Sequence, residues 1–270
     1  MFDSHIHTNN SSDSKQTIDQ VCKSAIEHNL SAISICDHTE LSHLHLRDYP
    51  QAMKNSIKDV KYAQEKYKGT LKILQGIEVA EFFWNEKEIP VFMSLADYDV
   101  ILGSVHRVKC PGHDDSFSRV VLDKTPPELL HEFLRIYFED MIRMIQNYDF
   151  DVLSHLTVPL RYINGKYNRG IDISEYYDVI DTILNMIKEK NIALEVNTSG
   201  LGTKFNECFP GEDIIRRYKE IGGSLITIGS DAHTPDRVGY GFTEAKALLK
   251  KSGFDSYYYY EKRKPVKVMI

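Results

Sequence analysis

Two histidines stand one residue apart in the first seven positions of the chain, His5-Ile-His7. On a strand, alternate side chains share a face, so both imidazoles point the same way. There they can pack, shield one another, or bind one metal ion. Similar residues recur at the ends of short apolar runs. Asp37-His38 follows SAISIC, Glu78 ends LKILQGIE, His106 follows YDVILGSV and His155 ends FDVLSH. Glu195 lies in IALEVN, and Asp231-Ala-His233 follows SLITIGS. Six of the eleven histidines fall within a residue or two of such an end. Imidazoles and carboxylates gathered at one place are costly unless paired or bound to cations. A nitrogen and oxygen donor set without thiolates suits zinc, manganese or iron and argues against a closed structural zinc site. Two such ions bridged by a carboxylate make a hydrolytic pair, able to lower the pKa of a water and neutralise phosphoryl oxygens.

The elements that must position these groups follow from hydrophobic patterning. Strands are expected at 1–7, 31–36, 71–78, 98–105, 150–155, 192–197 and 224–230. Helical stretches lie between most of them, at 16–29, 51–68, 126–148, 174–190, 211–221 and 242–251, the last with Thr243 as a plausible N-cap. Strands alternating with helices indicate parallel β-α units. Without a Gly/Pro/Ser-rich linker, 270 residues suggest a single domain, one closed or nearly closed barrel. In such barrels the site forms at the C-terminal ends of the strands. The run Tyr257–Tyr260 reads as a half-buried strand on the outside of the barrel. Segments 38–50, 103–125 and 156–173 look long and irregular, as functional loops commonly do. His28, His43, His45, His113 and His131 fit ordinary surface or loop positions.

Net charge is −6, and the only basic tract is Glu261-Lys-Arg-Lys264, so no footprint for nucleic acid is present. No charged segment leading into an apolar run opens the chain, and no run of roughly 18 apolar residues occurs. The four cysteines are scattered without paired spacing. These features lead to the expectation of reduced thiols, a cytoplasmic location and no membrane partner. Oligomeric state is not legible.

Taken together, His5-Ile-His7, Asp37-His38, Glu78, Gly103-Ser-Val-His106, Ser154-His155, Glu195-Val-Asn-Thr-Ser199 and Ser230-Asp-Ala-His233 resemble the PHP (polymerase and histidinol phosphatase) superfamily. GSVH, LEVNTSG and GSDAHTPDRVG are particularly similar to its monofunctional histidinol-phosphate phosphatases. The resemblance implies a distorted (β/α)7 TIM-like barrel with two or three divalent ions (Zn, Mn or Fe), hydrolysing a small phosphate monoester. It implies that His5, His7, Glu78 and Asp231 hold the first ion. Glu78, as a bridge, holds the second with His106 and His155, and His38 and His233 hold the third. Many superfamily members add a histidine where this chain has Asp13, an acceptable oxygen ligand. Asp231, His233 and Arg161 are the expected catalytic groups, Arg161 as a phosphate contact. A ligated His233 cannot also protonate the leaving alcohol. Arg107 and Lys204 are further candidate substrate contacts, and Glu195 either meets substrate or orients ligands. Loops 38–50 and 79–93, the latter with Glu81, Phe82, Phe83 and Trp84, are expected to meet the imidazole and amine of histidinol phosphate.

Other phosphatase chemistries lack their residues. No cysteine has an arginine six positions later, and no Gly-rich loop precedes Lys-Ser or Lys-Thr. Asp149-Phe-Asp151 begins a strand instead of ending the first one, unlike the paired aspartates of haloacid-dehalogenase phosphatases. Alternatives within reach are another PHP phosphoesterase, acting on nucleotides, phosphotyrosine or DNA 3′ ends, and a non-catalytic metal-binding module.

Overall fold

The computed structural model describes residues 1–270. All seven expected strands form, together with a short extra one. They are β1 Phe2–Ile6, β2 Ala32–Ile35, β3 His38–Glu40, β4 Lys72–Ala80, β5 Val100–Ser104, β6 Val152–Leu153, β7 Ala193–Asn197 and β8 Ile226–Gly229. Every pairing is parallel, in the order β1-β2-β4-β5-β6-β7-β8, with β3 continuing the β2 side of β4. β1 pairs with the chain just past the end of β8, through an isolated bridge between Ile6 and Ala232, where Asp231 N–H donates to His5 O (2.8 Å) and His7 N–H to Ala232 O (3.0 Å). The barrel is thus nearly closed, and its last seam is made by residues that carry the candidate chemistry.

Alternation along the strands sorts the side chains. In β7, Leu194 and Val196 join the core under the helices, while Ala193, Glu195 and Asn197 take the other face. In β8, Ile226 and Ile228 do the same against Thr227 and Gly229. Each such aliphatic contributes roughly 1.5–3 kcal/mol of burial. The covering helices are α1 Ile18–Glu27, α2 Tyr49–Lys66, α3 Ile89–Met93, α4 Pro127–Asn147, α5 Tyr177–Lys190, α6 Glu212–Glu220 and α7 Phe242–Lys251. α1 starts on a capping box between Thr17 and Gln20. α7 starts one residue earlier than its expected cap: Gly241, at φ 75°, takes the N-cap place and Thr243 lies inside the helix. No helix is long and apolar enough to cross a membrane, and all four cysteines are free and buried.

The C-terminal tyrosines depart from expectation. Strands β9 Ser256–Glu261 and β10 Lys264–Met269 form an antiparallel hairpin that covers the N-terminal floor of the barrel, not its outside. Tyr260 packs with Cys36, Val100, Leu102, Val152 and Ala193 inside the barrel. The Tyr257 hydroxyl accepts from Phe2 N–H at 3.1 Å. At the turn, Arg263 Nε donates to Asp151 Oδ2 (2.7 Å) and Lys262 N–H to Asp99 Oδ1 (2.9 Å), fastening the hairpin to the entries of β6 and β5. Tyr257→Phe orphans the Phe2 N–H and should cost about 1–3 kcal/mol, whereas Tyr260, whose hydroxyl has no partner, should tolerate Phe at about zero cost. Urea denaturation of the two variants checks the difference.

Candidate metal centre

Eight of the nine expected ligands stand on strand ends or just beyond them, and the fold brings all nine to one rim. His5 and His7 come from β1, His38 from β3 and Glu78 from β4. His106, His155, Asp231 and His233 follow β5, β6 and β8, and Asp13 arrives on the loop after β1. Three of these ends carry a non-glycine residue in the left-handed region: Glu81 (φ 47°), His155 (φ 26°) and Asp231 (φ 53°). Such backbone is costly and clusters at functional sites.

The donor atoms form three close groups. His5 Nε2 and His7 Nε2 are 2.9 Å apart. Asp231 Oδ1 is 3.2 Å from the latter and 3.9 Å from the former, and Glu78 Oε2 lies 3.5 and 3.6 Å from the two nitrogens. In the second group, Glu78 Oε1 is 3.0 Å from His155 Nε2 and 3.3 Å from His106 Nε2, and those nitrogens are 3.2 Å apart. In the third, Asp13 Oδ1 is 3.5 Å from His38 Nε2 and 3.3 Å from His233 Nε2, themselves 3.4 Å apart. Ligands about 2.0–2.1 Å from a tetrahedral ion stand about 3.3 Å from one another. The donor sets therefore fit divalent ions. Glu78 joins the first two groups, one oxygen to each.

Three of the rings have their far nitrogen tied down. His5 Nδ1 meets Glu195 Oε1 at 2.7 Å, His106 Nδ1 meets Glu40 Oε1 at 2.8 Å, and His233 Nδ1 meets the Asp231 carbonyl at 2.8 Å. With those nitrogens committed, Nε2 turns a lone pair inward. Glu78 Oε2 and His38 Nδ1 approach to 2.7 Å, yet the angle is not that of a hydrogen bond and neither atom has another partner. Such orphaned buried donor atoms call for a cation. Burial works against the charge of Glu78, but the imidazoles of His106, His5 and His38 outweigh it and hold the carboxyl well below the usual range. Burial, then the neighbouring His38 and His233, hold His7 well below the ordinary imidazole value, favouring the neutral ring that a metal needs.

Glu195 lies behind this array. It is fully buried, takes His5 Nδ1 on one oxygen, and accepts His155 N–H (2.9 Å) and Asn197 Nδ2 (3.0 Å) on the other. It fixes the His5 ring and the His155 backbone and does not line the cleft. Gly229 makes room for it, since a Cβ there would stand 2.4 Å from Glu195 Oε1 and 2.6 Å from His5 Cβ.

The rim opens on a cleft of about 750 Å³. Arg161 lines it at the start of a widened π-turn, Arg161–Lys166. The guanidinium bonds Ser199 Oγ, while its Nε is buried without a partner. Arg107 does not line the cleft, because Asp114 (2.9 Å) and His43 Nε2 (3.0 Å) hold it beside Trp84. Lys204 is exposed on a turn away from the cleft. Phe82 and Phe83 are core, and the aromatic walls come instead from Tyr49, Phe117 and Tyr162. His43, expected at an ordinary loop position, is buried and lines the cleft.

Sequence reasoning overlooked Glu40 and the full part of Glu81. Glu40 alternates with His38 on β3, the same signal that singled out His5 and His7. Glu81 accepts the backbone N–H of both His106 and Arg107 and the hydroxyl of Ser42. Burial, with the nearby Glu40 charge, pushes its carboxyl up to about 8.

Among known proteins, the PHP domain model matches residues 3–199. A probable histidinol-phosphatase of Clostridium acetobutylicum is 30% identical over 97% of this chain and 98% of its own. One from Thermotoga maritima is 31% identical over 94% of each. The crystal structure of histidinol phosphate phosphatase from Lactococcus lactis, complexed with zinc, L-histidinol and phosphate, superposes with a TM-score of 0.82 at 25% identity, covering 98% of both chains. With its strand-end ligand motifs placed on one rim and a family match over most of its length, the chain belongs to the PHP domain family.

Proposed function

We propose that the chain hydrolyses L-histidinol phosphate to L-histidinol and inorganic phosphate with two or three divalent ions, zinc, manganese or iron. The reading is carried by the three donor groups, two of them linked by Glu78, in a chain whose whole-length relatives are named for this activity. His5, His7, Asp231 and Glu78 would hold the first ion, Glu78 with His106 and His155 the second, and Asp13, His38 and His233 the third. The bound ions supply a water of lowered pKa and neutralise phosphoryl charge.

The protein's own groups do the rest. Arg161, on the wall of the cleft, offers its guanidinium to a phosphoryl oxygen, and a charge-assisted bond there strengthens as charge grows in the transition state. Ser199 holds the guanidinium and also reaches Asp231 Oδ2 (3.2 Å), tying the phosphate contact to a ligand. Tyr49, Phe117 and Tyr162 line the cleft and supply aromatic surface against which the substrate imidazole packs. Residues 1–270 act as one unit, because the hairpin that floors the barrel is bonded to the entries of strands whose other ends carry the rim. Unpaired buried thiols and net charge −6 favour a cytoplasmic enzyme without nucleic-acid substrates.

Phosphate release from L-histidinol phosphate, p-nitrophenyl phosphate and single-stranded DNA, measured on metal-reconstituted protein, tests this. Histidinol phosphate is expected to lead in kcat/KM. Preferential cleavage of DNA, or inertness toward every phosphoester, contradicts the reading.

A further inference from the structure

Hydrogen-bond directions around one hydroxyl decide which nitrogen of His7 carries the proton. Ser11 Oγ is 3.1 Å from His7 Nδ1, 2.8 Å from Asp37 Oδ1 and 3.1 Å from the backbone nitrogen of His38. A hydroxyl has one hydrogen and two lone pairs. His38 N–H can only donate, so it occupies one lone pair. Asp37 is an acceptor on all sides: Thr8 N–H (2.7 Å) reaches Oδ1, and the hydroxyls of Thr8 (2.8 Å) and Ser56 (2.6 Å) reach Oδ2. Ser11 therefore gives its hydrogen to Asp37. Were it turned to His7 instead, two lone pairs would face each other across the 2.8 Å gap. The remaining lone pair of Ser11 is left for Nδ1–H of His7.

We propose that Ser11, backed by Asp37, is the positioning residue that locks His7 in the Nδ1–H tautomer and aims its Nε2 lone pair at the first metal position. Both residues are buried, at 2% and 1% exposure, so no solvent competes for these bonds. The device parallels Glu195 behind His5 but inserts a hydroxyl between carboxylate and ring. That spacing lets Asp37 brace the loop carrying Asp13 as well, through Thr8 and Ser11. The inference rests on the reading of His7 as a ligand.

The test compares parent, Ser11→Ala, Ser11→Thr, Asp37→Asn and His7→Ala. Zinc affinity is measured by chelator competition, and ¹⁵N chemical shifts of the His7 ring are recorded in zinc-free protein. Ser11→Ala is expected to weaken zinc binding about 10–100-fold, the usual cost of losing a group that orients a ligand, and to replace the Nδ1–H pattern by a tautomer mixture. Ser11→Thr, which keeps the hydroxyl, should restore both readouts. Asp37→Asn should move both in the direction of Ser11→Ala, and it carries the test if the alanine variant does not fold. Parent-like zinc affinity with an unchanged Nδ1–H pattern in Ser11→Ala, or in Asp37→Asn, overturns the proposal. Parent-like zinc affinity in His7→Ala sinks instead the ligand assignment beneath it.

Discussion

Glu78→Gln is expected to lower kcat about a thousandfold or more while the chain stays folded. Both oxygens of this fully buried carboxylate are used, Oε1 toward His155 and His106 and Oε2 toward His5, His7 and His38. Glutamine keeps the shape but replaces one oxygen by an amino group that has no lone pair for an ion. It also removes the negative charge that offsets two cations. Metal catalysis contributes several kcal/mol, and each 1.4 kcal/mol or so is tenfold in rate, so losing the bridge costs at least three such steps. Folding is spared because Glu78 sits on a nine-residue strand paired on both sides, and those ladders use only backbone. Steady-state kinetics of the metal-reconstituted variant, beside its thermal melt, checks both halves. A rate within tenfold of the parent would refute the bridging assignment.

Arg161→Ala is expected to reduce kcat/KM for histidinol phosphate about 10²–10³-fold, as when a preorganised donor to a developing oxyanion is lost. The guanidinium is preset by Ser199 and rests over the Phe209 ring (5.2 Å). Arg161→Lys should recover only part, because an ammonium lacks the planar fork that fits a phosphate. Arg107→Ala and Lys204→Ala should stay within a few-fold of the parent, since the one is held by Asp114 beside Trp84 and the other lies outside the cleft. Phosphate-release kinetics of the four variants separates them. Equal losses at Arg107 and Arg161 would contradict the placement.

Most of the barrel could be read in advance because its signal is local. Ile226-Thr-Ile-Gly229 and Ala193-Leu-Glu-Val-Asn197 alternate outward aliphatics with inward small or polar residues, which a period of two reveals. The same period exposed His5 and His7. It failed at β3, where three residues inside the loop expected at 38–50 are too few to stand out, and Glu40 was lost with it. The place of the C-terminal hairpin was illegible for another reason. The run Tyr257–Tyr260 reads as a half-buried strand, but only tertiary contacts with Phe2, Asp99 and Asp151 say which surface it covers. Relays such as Glu195–His5 and Asp37–Ser11 likewise join segments far apart in sequence, and no spacing rule records them.

Divalent ions caged by side chains from separate strands are the centre of the proposed chemistry. Anomalous diffraction from crystals of the native protein, collected at the zinc, iron and manganese edges, tests it most directly. Two or three peaks are predicted, one between His5, His7 and Asp231, one between His106 and His155 with Glu78 shared by both, and a third by Asp13, His38 and His233. An enzymatically active crystal form with no peak inside this rim would contradict it.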